Sequence, residues 1–174
     1  MVLRGGALPA LILSDYLGVS ELYAVRAKHW GIGGEIYTDP MIEWSLGGFR
    51  DKKLLVVDEV VDTGKTLKKV VEELKGKGAK QVKSAVLHVK PTTIYTPSFY
   101  VEKLREWVWL FYPWSLIETL FNLASREEKG KGVVQRALEI ADGLRIWPRD
   151  PELLAKGIKN YISNIDGFRK QAEN

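Results

Sequence analysis

The stretch that decides the fold is Leu54-Leu55-Val56-Val57-Asp58-Glu59-Val60-Val61-Asp62-Thr63-Gly64-Lys65-Thr66. Its first four residues are all apolar, a pattern that is typical of a strand buried on both faces of a parallel sheet. The segment 65–75 carries its apolar residues on one helical face, and 82–89 predicts the next strand. Because a strand, a polar turn and a helix make one α/β unit, we predict an α/β protein with a doubly wound, mainly parallel sheet.

The hydrophobic pattern predicts further elements on both sides of this unit. A buried helix over 7–17 and a strand over 21–28 come before it, and the glycine-rich loop 29–50 is long enough to act as a lid. Two short aromatic strands and three helices are predicted after it, at 99–101, 107–111, about 115–126, about 132–143 and about 150–171. No linker separates a second domain, so we divide the chain into a core over 1–114 and a C-terminal helical extension over 115–174 packed on that core.

The composition excludes several classes of function. The 174 residues are 45% hydrophobic and 28% charged, which is typical of a soluble globular protein and not of a disordered one. The absence of cysteine excludes disulfides, thiolate zinc sites and cysteine nucleophiles. No apolar run approaches the length of a membrane span and no secretion signal is apparent, so we expect a cytoplasmic protein. The net charge of +4 favours anionic partners but does not choose between nucleic acid and a phosphorylated small molecule.

Open α/β sheets bind ligands beyond the carboxyl ends of their strands, and two loops of this chain qualify for that position. One is Arg4-Gly5-Gly6, and the other is 58–66. The turn 62–66 directs free backbone N–H groups and the positive end of a helix dipole at a ligand, which predicts a phosphate site. A nucleoside-triphosphate P-loop is the obvious alternative, but that motif needs glycine where Glu59 stands. The adjacent acids Asp58 and Glu59 suit ribose hydroxyls or water on magnesium, and they could also be ordinary solvated loop residues.

Residues 56–66 resemble the signature of type I phosphoribosyltransferases: a hydrophobic strand, an acidic pair, two hydrophobic residues, and Asp-Thr-Gly-x-Thr. Arg4 to Ala10 is similar to the pyrophosphate loop of that family. The pairs Lys90-Pro91, Tyr100-Val101, Trp109-Leu110 and Pro113-Trp114 follow in the order of the 6-oxopurine subgroup, which includes xanthine-guanine and archaeal hypoxanthine enzymes. The resemblance covers 3–114 and implies a three-layer fold with a small hood, to which this chain adds its C-terminal helices.

The resemblance also implies an activity and a role for each site residue. The reaction would transfer 5-phosphoribosyl from magnesium-bound phosphoribosyl pyrophosphate to a 6-oxopurine base. The 5′-phosphate would lie on Asp62, Thr63, Gly64, Lys65 and Thr66, the ribose hydroxyls or magnesium on Asp58 and Glu59, and the pyrophosphate on Arg4, Gly5 and Lys28. The base would contact Lys90 at O6, stack on Trp109 and meet the Leu110 backbone, while Asp62 would take its proton. Trp107 and Trp109 alternate on their predicted strand, so we expect one of them to be a core residue.

Two departures from the family and one other function complete the prediction. Only Met1-Val2-Leu3 come before the Arg4 loop, so we expect a missing upstream segment and unpaired backbone groups beside 54–58. Glu59 is one methylene longer than the usual aspartate. The alternative function is that of a non-catalytic phosphoribosyl pyrophosphate sensor that regulates transcription, with 115–174 as its interaction module. The mixed charge of those helices disfavours nucleic acid, and we expect a homodimer or homotetramer.

Overall fold

The computed structural model describes residues 1–28, 30–31, 34–35, 41–44, 48–130, 132–146 and 150–172. The strands are β1 (Val2–Leu3), β2 (Val25–Lys28), β3 (Trp30–Gly31), β4 (Gly34–Glu35), β5 (Met41–Trp44), β6 (Lys53–Val61), β7 (Gln81–Val89) and β8 (Phe99–Lys103). The helices are α1 (Ala7–Leu17), α2 (Lys65–Gly76), α3 (Leu116–Glu127), α4 (Gly132–Gly143) and α5 (Pro151–Ala172), with a 3-10 turn at Pro113–Ser115. Two compact units are formed, the first by Met1–Gly31 and Glu35–Val108, the second by Ile32–Gly34 and Trp109–Asn174.

The first unit contains the predicted parallel sheet, in the order β6-β7-β8. Val57 lies opposite Ala85, and Ala85 in turn lies opposite Phe99, with both pairings parallel. A second sheet has the order β1-β2-β5, in which β1 pairs with β2 parallel and β2 pairs with β5 antiparallel. The prediction of an α/β fold with a mainly parallel sheet is therefore confirmed.

Helix α2 packs on the sheet through the apolar face that its sequence predicts. Leu67, Val70, Val71 and Leu74 are all buried, and they join one hydrophobic cluster with Val56 and Val86 of the strands. Full burial of such a side chain stabilises the fold by about 1.5–3 kcal/mol. This packing fixes the position of the first turn of α2 relative to the carboxyl end of β6.

Helix α1 forms over 7–17, but the prediction that it is buried is wrong. Pro9 and Ala10 are its buried residues, whereas Leu11, Ile12 and Tyr16 are exposed. The helix is apolar on most of its circumference, so periodicity alone cannot indicate which face packs. Its small residues face the sheet because the preceding Gly6 brings the chain very close to β6.

The aromatic segment after the parallel sheet also differs from the prediction. The strand predicted at 99–101 extends over Phe99–Lys103 and pairs with β7, but the strand predicted at 107–111 does not form. Trp107 lies in irregular chain, where side-chain contacts with the site described below hold it instead of a sheet ladder. The strand predicted at 21–28 is shortened to Val25–Lys28.

Strand β6 lies at the edge of its sheet and pairs with β7 on one side. Beside residues Lys53 to Val57, the described chain forms an apolar cavity of about 170 Å³, which Ala10 and Tyr23 also line. Within the described residues no strand is hydrogen-bonded to this edge. The unpaired backbone groups expected beside 54–58 stay a prediction.

The second unit is helical and has a core of its own. The three predicted C-terminal helices are confirmed as α3, α4 and α5, and their most deeply buried residues are Leu120, Ala124, Ala137 and Ile158. Trp147, which the sequence suggests as a packing residue, lies outside the described residues. None of the described helices has both the length and the apolar character needed to cross a lipid bilayer. The predicted division at 114/115 and the packing of the extension on the core stay predictions.

Candidate active site

The turn between β6 and α2 requires glycine at its centre. Gly64 is the N-cap of α2 and has a φ of 85°, in the left-handed region that side chains disfavour. A Cβ added at this position would lie 2.5 Å from Thr93 Oγ1 and 2.9 Å from the Tyr95 backbone nitrogen. The Ile94 N–H donates to the Thr63 carbonyl at 2.9 Å, so the chain after β7 is fastened to the turn. Gly64 makes no side-chain hydrogen bond to the helix, so the positive end of the α2 dipole faces the side on which an anion could bind.

Asp62 is the centre of a polar cluster at the start of this turn. Lys90 Nζ lies 3.1 Å from Asp62 Oδ2, and the Thr92 hydroxyl donates to Asp62 Oδ1 at 2.7 Å. The Trp107 indole N–H also faces this carboxylate, with Nε1 at 3.2 and 3.3 Å from its two oxygens. Several donors therefore hold one carboxylate in a defined orientation.

Lys90 is itself enclosed, although it carries a charge. Only 6% of the residue is exposed, and its ammonium lies 4.0 Å from the centre of the Trp107 ring, in a cation–π contact. Burial of a charge is tolerated where a carboxylate and polarisable groups surround it, and Asp62 and Trp107 supply both. Sequence reasoning did not place Thr92 or Trp107 in the site. The sequence signal for Trp107 was its alternation with Trp109, which could not show which indole belongs to the core.

The acidic pair Asp58 and Glu59 lies on β6, because that strand continues to Val61 instead of ending at Val57. Both residues are partly buried, and the Glu59 N–H donates to Asp58 Oδ1 at 3.0 Å. Burial raises the pKa of the Asp58 carboxyl well above its ordinary value, and a hydrogen bond with the Glu59 side chain raises it further. The two acids therefore contact each other and are not freely solvated loop residues.

The Arg4-Gly5-Gly6 turn lies directly against this acidic pair. A Cβ added at Gly5 would overlap the Glu59 carboxylate, with 1.6 Å to Oε2, and one added at Gly6 would lie 2.3 Å from the Val57 carbonyl oxygen. The peptide bond between Leu3 and Arg4 is cis, and Arg4 is exposed. Gly6 is needed because a side chain there would meet the backbone of β6, whereas at Gly5 the Glu59 side chain would have to move. The structure thus brings together the predicted pyrophosphate turn and the predicted ribose-binding acids.

The remaining predicted site residues are described less directly. The backbone of Lys28 ends β2, but its side chain lies outside the described residues, as does much of the predicted lid 29–50. Trp109 and Leu110 belong to the second unit, where the guanidinium of Arg126 lies 4.8 Å from the centre of the Trp109 ring. Of the predicted base-binding residues, Lys90 is the one that lies in the first unit with Asp62.

The site offers a metal ion the carboxylates of Asp58 and Glu59. Within the described part of the chain, no group of three or more His, Asp or Glu side chains is arranged to hold a metal. Asp58 and Glu59 fit Mg²⁺, because this ion keeps several waters and is usually held by one or two carboxylates together with substrate phosphates.

The fold and the site define an α/β protein with three features near the carboxyl end of the parallel strand β6. They are the N-terminus of α2, the Asp62 carboxylate with its hydrogen-bond donors, and the acidic pair Asp58 and Glu59. The chain belongs to the phosphoribosyl transferase domain family, whose model matches residues 2–119. The sequence motifs predicted a type I phosphoribosyltransferase of the 6-oxopurine subgroup, and the family match confirms that prediction.

Three relatives support this membership. A purine phosphoribosyltransferase structure from Pyrococcus horikoshii is 39% identical, covers 65% of this chain and 72% of its own, and superposes with a TM-score of 0.54. A Helicobacter pylori xanthine-guanine-hypoxanthine phosphoribosyltransferase is 30% identical, with coverages of 61% and 69% and a TM-score of 0.51. A xanthine-guanine phosphoribosyltransferase from Cereibacter sphaeroides is 26% identical over 119 residues, 66% of each chain. The chain therefore spans about two thirds of the length of these relatives.

Proposed function

We propose that this protein transfers the 5-phosphoribosyl group from phosphoribosyl pyrophosphate to a 6-oxopurine base, giving a purine nucleoside 5′-monophosphate and pyrophosphate. The observation that carries the proposal is the 3.1 Å contact between Lys90 Nζ and Asp62 Oδ2. Asp62 begins the turn 62–66, here called the phosphate turn. This contact supports the proposal because the base and the 5′-phosphate are the two ends of one nucleotide, and Lys90 and the turn would bind one end each. The names of the relatives agree with a purine as the acceptor.

The turn and the acidic pair would hold the donor substrate. The N–H groups of Thr63 to Thr66, the threonine hydroxyls and Lys65 would bind the 5′-phosphate, favoured by the positive end of the α2 dipole. Asp58 and Glu59 would bind the ribose hydroxyls or, through water, Mg²⁺. When bound, Mg²⁺ supplies positive charge that neutralises the pyrophosphate oxygens.

The leaving group would be taken by the turn on the other side of the acidic pair. As the bond between C1′ and the pyrophosphate oxygen breaks, the electron pair leaves with pyrophosphate and C1′ becomes cation-like. Arg4, the Gly5 N–H and Lys28 are the groups assigned to that anion, because positive groups near the leaving oxygens stabilise the transition state. The Gly5 backbone lies against Glu59, so the pyrophosphate and ribose subsites would be neighbours.

The base would be read by one ammonium and deprotonated by one carboxylate. Lys90 can only donate, so it favours the keto oxygen O6 and disfavours the amino group of adenine. As the purine N9 attacks C1′, the base loses its N7 proton, and Asp62 is the acceptor within reach of Lys90. Trp109 and the Leu110 backbone are assigned to stacking and to the ring edge.

A spectrophotometric assay with Mg²⁺ and phosphoribosyl pyrophosphate tests the proposal, with hypoxanthine, guanine, xanthine and adenine offered in parallel. We expect turnover of at least one 6-oxopurine and little turnover of adenine. Asp62→Asn should lower kcat by about 10²–10⁴-fold, the range for loss of a general base. The control Glu139→Gln alters an exposed acid of α4 and should leave kcat unchanged.

The opposite result would favour another function. If no base reacts and phosphoribosyl pyrophosphate still binds tightly, the enzymatic proposal is wrong and the non-catalytic sensor is the better description. The choice among the 6-oxopurines, the homodimer or homotetramer, and the cytoplasmic location stay predictions from the sequence.

A further inference from the structure

The indole of Trp107 contacts the same two groups that the proposed function assigns to the base. Its N–H faces the Asp62 carboxylate at 3.2 and 3.3 Å, and its ring face lies 4.0 Å from Lys90 Nζ. An indole and a purine are both flat, fused five- and six-membered rings with a ring N–H. Trp107 therefore makes both interactions that a 6-oxopurine would make, with its π face in place of the O6 acceptor.

The indole also lies on the outer side of this cluster. Lys90 is only 6% exposed, whereas Trp107 is 39% exposed, so the ring separates the ammonium from solvent. A ligand that reaches Lys90 from this side must replace the ring. The Thr92 hydroxyl, at 2.7 Å from Asp62 Oδ1, would keep the carboxylate oriented when the indole leaves.

Nothing in the local backbone requires the indole to stay in this position. Trp107 belongs to irregular chain between β8 and the 3-10 turn at Pro113–Ser115. The bond from the Leu104 N–H to the Val89 carbonyl, at 2.8 Å, anchors the segment before Trp107. Movement of the indole would therefore break no strand or helix.

We propose that Trp107 is an internal competitor for the purine subsite, whose indole occupies Lys90 and Asp62 until a base displaces it. This inference rests on the proposed function. Only molecules in which the indole has left can bind the base. The apparent Kd for the base is therefore the intrinsic Kd divided by the fraction of such molecules. Because the indole must leave before any base binds, the reduction is the same factor for every base.

The proposal predicts a specific set of binding constants, measured by calorimetry for two ligands. Trp107→Ala should bind inosine 5′-monophosphate roughly 5- to 30-fold more tightly, the factor that one cation–π contact of ordinary strength would give. Ribose 5-phosphate lacks the base and should bind the variant and the wild type equally. Trp107→Phe keeps a ring over Lys90 but loses the N–H, so its affinity for inosine 5′-monophosphate should be intermediate.

Kinetics supply a second readout that a purely structural role would not produce. Trp107→Ala should lower KM by the same factor for every 6-oxopurine that the wild type turns over, so that the ratios of their kcat/KM values stay those of the wild type. Trp44→Phe is the control, because its indole donates to Glu73 at 2.9 Å and not to Asp62. This substitution should leave the KM values unchanged.

The outcomes separate this inference from the proposed function. If ribose 5-phosphate binds the wild type, but Trp107→Ala binds inosine 5′-monophosphate no more tightly than the wild type does, Trp107 is not a competitor and this inference alone is overturned. A weaker affinity in the variant would show that Trp107 instead stacks on the base. If ribose 5-phosphate does not bind the wild type at all, the proposed function is overturned, and the inference with it.

Discussion

At the scale of single residues, Asp62 shows how distant parts of the chain define one functional group. Its carboxylate is contacted by Lys90, Thr92 and Trp107, which lie 28, 30 and 45 positions further along the chain. The proposed function makes Asp62 a general base, which must point at the proton that it removes, and several donors from separate segments can fix that direction. The segments that follow β7 and β8 thus orient a carboxylate that follows β6.

Gly64 gives the first prediction at this scale. Gly64→Ala should destabilise the protein by about 2–4 kcal/mol, because alanine disfavours a φ of 85° and its Cβ would overlap Thr93 and Tyr95. Gly76→Ala is the matched control, since an added Cβ there meets nothing within 4 Å and the residue lies in α2. The control should gain about 0.5–1 kcal/mol. Urea unfolding measures both, and equal effects of the two substitutions would contradict the geometry of the turn.

Asp58 gives a prediction about pH. Its pKa is raised in the folded state, so the native protein holds the Asp58 proton more tightly than the unfolded chain does. The associated stability is fully present below the unfolded pKa, about 3.9, and is lost as pH rises through the folded pKa. Asp58→Asn cannot lose stability in this way. The free energy of unfolding of the variant minus that of wild type should therefore increase as pH rises from 4 to neutrality.

Urea unfolding from pH 4 to 8 without Mg²⁺ checks this prediction. Glu139→Gln is the control, because hydrogen bonds from Arg136 lower the pKa of that exposed carboxyl, so any pH dependence has the opposite sign and is confined to the acidic end of this range. If the difference in the free energy of unfolding between Asp58→Asn and wild type does not change with pH, the pKa of Asp58 is not raised in the folded state and the prediction is wrong.

At the scale of the element, α2 has two functions that depend on each other. Its N-terminus belongs to the turn 62–66 that we propose binds phosphate, and its buried face anchors the helix on the sheet. The turn can present its N–H groups in a constant direction only if the helix does not shift. If the turn binds phosphate as proposed, the apolar face of α2 contributes to binding without touching the ligand.

Leu67→Ala tests this link. Leu67 is 2% exposed, so its truncation should reduce the free energy of unfolding by about 2–5 kcal/mol. Lys68→Ala, next in the chain but exposed, should change it by less than about 0.5 kcal/mol, because surface ion pairs such as Lys68–Glu72 contribute little. Ribose 5-phosphate binding should weaken in Leu67→Ala and not in Lys68→Ala, and unchanged binding in both would separate the packing of α2 from the site.

At the scale of the whole molecule, the described residues contain two separate cores. One joins β6 and β7 to α2 around Val70 and Val86, and the other joins α3, α4 and α5 around Leu120 and Ile158. Each core consists of residues from its own unit. Separate cores are the physical basis for regions that open independently in hydrogen exchange.

Ile158→Ala tests this independence. Ile158 is fully buried, so the substitution leaves a cavity that should cost about 2–5 kcal/mol locally. We expect amide protection to fall in α3, α4 and α5 while the amides of β6 and β7 keep theirs, as measured by hydrogen exchange with mass spectrometry. An equal loss of protection in both units would mean that the two cores unfold as one.

The sequence by itself determined the parallel strand, turn and helix of 54–76, the C-terminal helices and the family. These features depend on local patterns: apolar runs, helical periodicity, and a glycine where a turn needs positive φ. Only the tertiary structure decided that Trp107 reaches Asp62, that Asp58 is buried enough for its pKa to rise, and that the apolar residues of α1 are exposed. Those properties depend on contacts between residues far apart in the chain, and no local pattern records which distant side chain will be the neighbour.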